Sequence, residues 1–149
     1  MQHPARRVEL LLIEDDPVAA QLARDALSHC DRISHVTVAV DGVQAMRVLR
    51  QESESPARAR VRKPDAILLS LSSTRSDGHD LLKKIKADQS LRRIPILVIS
   101  CSDAADDLHN SYSSHANCYI RKPADPEELV ELVRAIERFW FGIVTLPTR

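Results

Sequence analysis

The hydrophobic positions fall into short continuous runs separated by helical-period stretches. The run Asp65-Ala66-Ile67-Leu68-Leu69-Ser70-Leu71, opened by Pro64 and followed by small polar residues, reads as a strand buried on both faces in the middle of a parallel sheet. Val8 to Ile13 predicts a first strand, closed by Glu14-Asp15-Asp16-Pro17, with Asp16 as N-cap and Pro17 at the first helical position. Val18, Ala19, Leu22, Ala23, Ala26 and Leu27 then recur at helical spacing. The β-branched stretch Ser34 to Val40 predicts a second strand, and Asp41-Gly42 opens a helix through Val43, Met46, Val48 and Leu49. Gln51 to Lys63 is polar, rich in Ser, Arg and Pro, and reads as a mobile surface loop.

Beyond the central strand, Leu81, Leu82 and Ile85 mark a short helix, and Ile94 to Ser100 a fourth strand with Pro95 near its start. Ser102 to Asp107 opens a helix reaching about Ser114. Cys118-Tyr119-Ile120 predicts a short fifth strand, and Asp125-Pro126-Glu127-Glu128 a strong helix start. Leu129, Leu132, Val133, Ile136 and Trp140 supply that helix's buried face. Alternation of strand and helix predicts a doubly wound α/β sandwich with a mostly parallel five-stranded sheet. The 149 residues are read as one domain, with a core at about 8–140 and a C-terminal extension over 141–149.

Composition narrows the function. Lys plus Arg and Asp plus Glu are both 21, so nothing global favours nucleic acid or an anionic membrane. Cys30, Cys101 and Cys118 lack close-spaced pairing, which points away from a disulfide framework or zinc site and towards a reduced cytoplasmic setting. The apolar run Val8 to Ile13 behind the polar start is too short for a signal peptide or membrane span. With only Gly42, Gly78 and Gly142, the chain holds no phosphate-cradling glycine loop, and no Ser/His/Asp set is recognisable, so an enzyme is not expected.

In a sheet of this type, chemistry sits outside the carboxyl ends of the strands. There the first strand brings Glu14, Asp15 and Asp16, the third Ser70, the fourth Ser100, and the fifth Lys122. Adjacent carboxylates repel, and a hard cation such as Mg²⁺ or a nearby lysine relieves the repulsion. Singly, acids after a strand cap the following helix and strand-end serines form turns; it is the joint pattern that marks Asp15 and Lys122 as functional.

That pattern resembles the receiver domain of two-component response regulators over nearly the whole chain. The matching motifs are Leu-Leu-Ile-Glu14-Asp15-Asp16, Pro64-Asp65-Ala66-Ile67-Leu68-Leu69, Asp77-Gly78, Val98-Ile99-Ser100-Cys101-Ser102 and Tyr119-Ile120-Arg121-Lys122-Pro123. Ala116-Asn117-Cys118-Tyr119-Ile120, with Phe139-Trp140 and Val144-Thr145-Leu146-Pro147, resembles the small stand-alone regulators paired with phytochrome-type photoreceptor kinases.

The resemblance implies a flavodoxin-like (CheY-like) fold with five helices. It further implies Mg²⁺ on Glu14 and Asp15, phosphate and switch roles for Ser100, Tyr119 and Lys122, and a cis bond before Pro123. A sensor histidine kinase, of the bacteriophytochrome kind, is the implied partner. The implied assembly is a homodimer through a surface including Tyr112, Tyr119, Phe139, Trp140, Phe141, Val144 and Leu146.

One position departs. Ser70 stands where the family carries the aspartate that takes a phosphoryl group from a kinase histidine. Serine is a poor nucleophile without a dedicated base, and it is neutral, so Mg²⁺ is expected to bind weakly. The following Ser72-Ser73-Thr74-Arg75-Ser76 also lacks the family's usual apolar residue and proline. The expectation is therefore a pseudo-receiver that works through protein–protein contacts. The alternatives are a competent regulator that uses another acceptor residue and a small enzyme on the same fold.

Overall fold

The computed structural model describes residues 7–50, 63–71, 77–100, 118–121, 123 and 125–141. In chain order the elements are β1 (Val8–Ile13), α1 (Pro17–Ser28), β2 (Ile33–Ala39), α2 (Gly42–Arg50), β3 (Ala66–Leu71) and α3 (Asp77–Ala87). They continue with β4 (Ile96–Ser100), β5 (Cys118–Arg121), α4 (Pro126–Ile136) and a π-helical turn, Glu137–Phe141. The strands form one five-stranded sheet in the order β2-β1-β3-β4-β5, every neighbouring pair parallel. The doubly wound expectation holds. The helix expected over Ser102 to Ser114 and the loop expected from Gln51 onward, up to residue 62, lie outside the described residues.

Strand alternation sorts the core into two layers. Leu11, Ile13, Ile67, Leu69, Ile96 and Val98 face α2 and α3, where Leu49, Leu82 and Ile85 close over them. Leu10, Leu12, Ala66, Leu68, Leu97 and Ile99 face α1 and α4, covered by Ala23, Leu27, Leu129 and Val133. Burial on both faces explains why β1, β3 and β4 are continuous apolar runs rather than alternating ones.

Two helix starts follow their sequence signals. Asp16 accepts a hydrogen bond from the Val18 N–H at 3.0 Å, and Asp125 accepts one from Glu127 at 2.9 Å; in both helices proline opens the first turn.

Three boundaries differ from expectation. β2 begins at Ile33 and ends at Ala39, one residue early at each end. β4 begins at Ile96, not Ile94, because Pro95 has no N–H to give the ladder; its carbonyl instead accepts from Ile67 at 2.9 Å. β3 begins at Ala66, one residue later than the expected Asp65, and ends as expected at Leu71, which pairs with Ser100.

Two polar contacts fix the connections around this frame. The Lys86 ammonium donates to the Arg92 and Ile94 carbonyls at 3.1 and 2.9 Å, tying α3 to the approach to β4, and burial lowers its pKa from the usual lysine value. After α4, Glu137 accepts from the Arg32 guanidinium at 2.9 Å and bonds the Cys30 thiol, locking the π-helical turn to the α1–β2 connection. Burial opposes ionisation of Glu137, but the hydrogen bonds from Cys30 and Arg32 outweigh it and hold the carboxyl below its ordinary value. Burial and the same Glu137 bond push the Cys30 thiol up.

Candidate functional site

In the strand order 2-1-3-4-5 the chain runs outward from β1 to β2, then returns to β3 and continues the other way. The crevice at the carboxyl ends of β1 and β3 is therefore the topological switch point, where such folds place ligands. Register sets what stands there. Ile13 pairs with Leu69, so the next residues along each chain, Glu14 and Ser70, come side by side. Both continue the alternation of Leu12 and Leu68 towards the α1/α4 face.

Their side chains meet. Ser70 Oγ donates to Glu14 Oε1 at 3.0 Å, while the Asp16 N–H donates to Oε2 at 3.3 Å. Glu14 is only 4% exposed, and its own N–H is held by the Ala39 carbonyl at 2.9 Å, which fastens the end of β1 to β2. A carboxylate buried to this degree requires donors, and the serine hydroxyl and the backbone amide supply them. Asp15 is exposed beside it, and Asp16 is committed to the α1 cap.

Ser100 lies one strand further, 1% exposed, level with Leu71 of β3 and Arg121 of β5. Tyr119 is in β5, level with Val98, and Pro123 is half-buried beyond that strand. The side chain of Tyr119 and the whole of Lys122 lie outside the described residues, as do Tyr112, Val144, Leu146 and the Phe141 side chain. Of the expected contact surface, Phe139 is 51% exposed and meets Trp140 edge-to-face at 5.8 Å between ring centroids, while Trp140 packs against the α1/α4 core layer. Trp140 does so from the π-helical turn, not from α4, which ends at Ile136.

The donor types suit a hard divalent cation, since Glu14 and Asp15 are carboxylates. The set falls short of a built metal site, however. Its third member is a neutral hydroxyl whose proton points at Glu14, and among the described residues no group of three or more His, Cys, Asp or Glu side chains is placed to hold a metal. Asp65 is a further buried carboxylate, 2% exposed, but its role is structural: it accepts from the Glu9 N–H at 2.9 Å and joins the starts of β1 and β3. Sequence reasoning placed Glu14 and Ser70 at one edge but missed their direct bond; continuing the β1–β3 pairing by one residue would have found it.

The fold and this edge define a receiver. The sequence matches the response regulator receiver domain over residues 10–134, and the chain belongs to that family. It is 36% identical over 138 residues to the response regulator Rcp1 of Synechocystis sp., covering 93% of this chain and 92% of that protein. The crystal structure of the phosphorylated cyanobacterial phytochrome response regulator RcpA superposes with a TM-score of 0.86 at 39% identity, covering 95% of this chain and 99% of that one. The Mn²⁺-bound form of Rcp1 superposes with a TM-score of 0.83 at 35% identity, again over 95% and 99%. Among the described residues no helix is long and apolar enough to cross a membrane.

Proposed function

We propose that this chain is a pseudo-receiver of the phytochrome-associated type, which does not take an aspartyl phosphate and acts through protein–protein contacts. The observation that carries the reading is the Ser70 hydroxyl bonded to Glu14 at the switch point. An aspartate in that place would be an acyl-phosphate acceptor; a serine there is neutral, poorly nucleophilic, and engaged as a donor. Were it phosphorylated, the product would be a stable ester instead of the labile acyl phosphate on which switching depends.

Glu14 and Asp15 hold Mg²⁺ weakly in this reading. In this reading Ser100, Tyr119 and Lys122 retain the residue types of a switch that lacks its trigger, and the bond before Pro123 is proposed to be cis. The partner is a sensor histidine kinase of the bacteriophytochrome type, a choice supported by the likeness to a cyanobacterial phytochrome response regulator. The setting is cytoplasmic.

Incubation with acetyl phosphate and Mg²⁺, followed by intact-mass measurement, is expected to add no phosphoryl group to the wild-type chain. An acid-stable, base-labile phosphoprotein would overturn the reading and favour the competent alternative, in which another residue is the acceptor.

The proposed working unit is a homodimer, through the β5 region and the Phe139–Trp140–Phe141 segment with the extension after it. Phe139 supports this, since a large aromatic half in water on the turn after α4 is the kind of group that anchors interfaces. Light scattering at micromolar concentration is expected to give the mass of two chains, and Phe139→Ala to shift the distribution towards one. A wild-type monomer would count against the dimer alone.

A further inference from the structure

We propose that Cys30, Arg32 and Glu137 form a latch that holds the turn after α4 in its π-helical register, and that this register is what puts the Phe139 ring in water while Trp140 packs inward. The latch stands on its own geometry, apart from the readings of Ser70 and of the dimer, and it gives the exposed aromatic a cause.

The anchor is the connection between α1 and β2. The Cys30 N–H donates to the Leu27 carbonyl at 3.1 Å, and the Ile33 N–H donates to the Cys30 carbonyl at 3.2 Å. The Arg32 N–H donates to Cys30 Sγ at 3.3 Å, and Cys30 packs against the α1/α4 core layer. This turn is fixed by its own bonds. From it two donors converge on one carboxylate: Arg32 Nη1 donates to Glu137 Oε1 at 2.9 Å, and the Cys30 thiol donates to the same side chain. Burial discourages the Glu137 charge, but the bonds from Cys30 and Arg32, with the Arg32 and Arg138 charges nearby, hold the carboxyl below its ordinary value. The latch is therefore closed at neutral pH.

Glu137 is the first residue of the π-helical turn, and its N–H is shared between the Val133 and Arg134 carbonyls. A π turn closes i→i+5 bonds and is rare, so it calls for a cause. The local sequence offers none: Glu137-Arg138-Phe139-Trp140-Phe141 contains neither proline nor glycine, and an α-helix could run straight through it.

The two registers differ in where they put Phe139. In an α-helix a residue seven positions on returns to within about 20° of the same direction. Continuation of α4 would bring Phe139 nearly over Leu132 and Trp140 nearly over Val133, both of which pack in the α1/α4 layer. Both rings would then lie against that layer. The wider π turn advances less per residue. Trp140, four residues from buried Ile136, keeps its place on the layer, while Phe139 falls to the flank and is left half exposed. Arg32 and Glu137 are thus positioning residues for an aromatic they do not touch.

The test is the nuclear Overhauser effect between the Phe139 ring and the Leu132 methyls in the full isotope-labelled chain, expected to be weak in wild type. Glu137→Gln and Arg32→Gln cut the ionic bond from opposite sides. Each is expected to strengthen the effect about fivefold, the order of one half-exposed ion pair. Arg32→Lys, which keeps a cation, and Cys30→Ser, which keeps a donor, are expected to stay near wild type. An unchanged Phe139–Leu132 effect in both Gln variants overturns the proposal, because the aromatic run then sets its own register. So does an effect already strong in wild type.

The readout lies within one chain and involves neither phosphate nor metal. A monomeric wild type would sink the dimer and leave the latch standing. A turn that keeps its register without the latch would leave the dimer standing.

Discussion

Ser70→Asp is expected to take up an acyl phosphate from acetyl phosphate in the presence of Mg²⁺, where the wild-type chain takes up none. The backbone already delivers position 70 to the switch point beside Glu14, because the β1–β3 register brings Ile13 level with Leu69. An aspartate there would join Glu14 and Asp15 in a set of three carboxylates, which a hard cation can bridge. The cation would then offset the charge that spreads over the phosphoryl oxygens in the transition state, where positioning and electrostatics supply most of the catalysis. The same substitution carries a cost. Without metal, Glu14 loses the Ser70 donor and gains a like charge, so the cation-free variant is expected to be less stable than wild type by about 1–3 kcal/mol. Mg²⁺ should recover part of that loss, which wild type has no occasion to do. Intact-mass measurement reads the first effect, and thermal melts with and without Mg²⁺ read the second. A variant that folds, binds Mg²⁺ and still refuses phosphate would place further losses elsewhere in the pocket. The run Ser72 to Ser76, which departs from the family pattern beside the site, would be the first place to look.

Much of this architecture was legible in the chain itself, for a physical reason. In a parallel sheet covered on both faces, a strand cannot alternate, so β1, β3 and β4 announce themselves as unbroken apolar runs. The Asp16-Pro17 and Asp125-Pro126 steps fix α1 and α4 by local capping, which needs no tertiary context. What the chain did not disclose depends on pairing. The bond between Ser70 and Glu14 joins residues 56 apart and requires knowing that β1 and β3 are neighbours. The lock between Arg32 and Glu137, 105 residues apart, is likewise invisible to any local pattern. Trp140 continues the apolar spacing of α4, so periodicity alone cannot reveal that the backbone has passed into a π-helical turn by then. The alternation within β4 puts Ser100 in phase with Ile96 and Val98, on the α2/α3 side, whereas Ser70 is in phase with Leu68, on the α1/α4 side. Convergence of strand ends at one edge therefore overstated how closely the polar residues share a face.

Leu68→Ala is expected to be the most damaging single truncation near the site, at about 2–5 kcal/mol. Leu68 is fully buried in the central strand, level with Leu12 of β1 and Leu97 of β4, in the core layer closed by Leu129 and Val133 of α4. Strands on both sides and a helix above leave little freedom to collapse into the space the side chain vacates, so the cavity cost adds to the lost transfer energy. For a domain of this size that corresponds to a drop in melting temperature of roughly 5–20 °C. Val43, 67% exposed on α2, is the matched control: its truncation to alanine is expected to change stability by no more than about 0.5 kcal/mol. Urea denaturation of the two variants beside wild type separates these outcomes. The comparison also bears on the pocket, because Ser70 continues the Leu68 alternation two residues on. The Ser70–Glu14 bond needs β1 and β3 to stay in register, and Leu68 packed within its layer is part of what holds that register. A Leu68→Ala chain that melts like the Val43→Ala control would mean that the β1–β3 seam is fastened elsewhere.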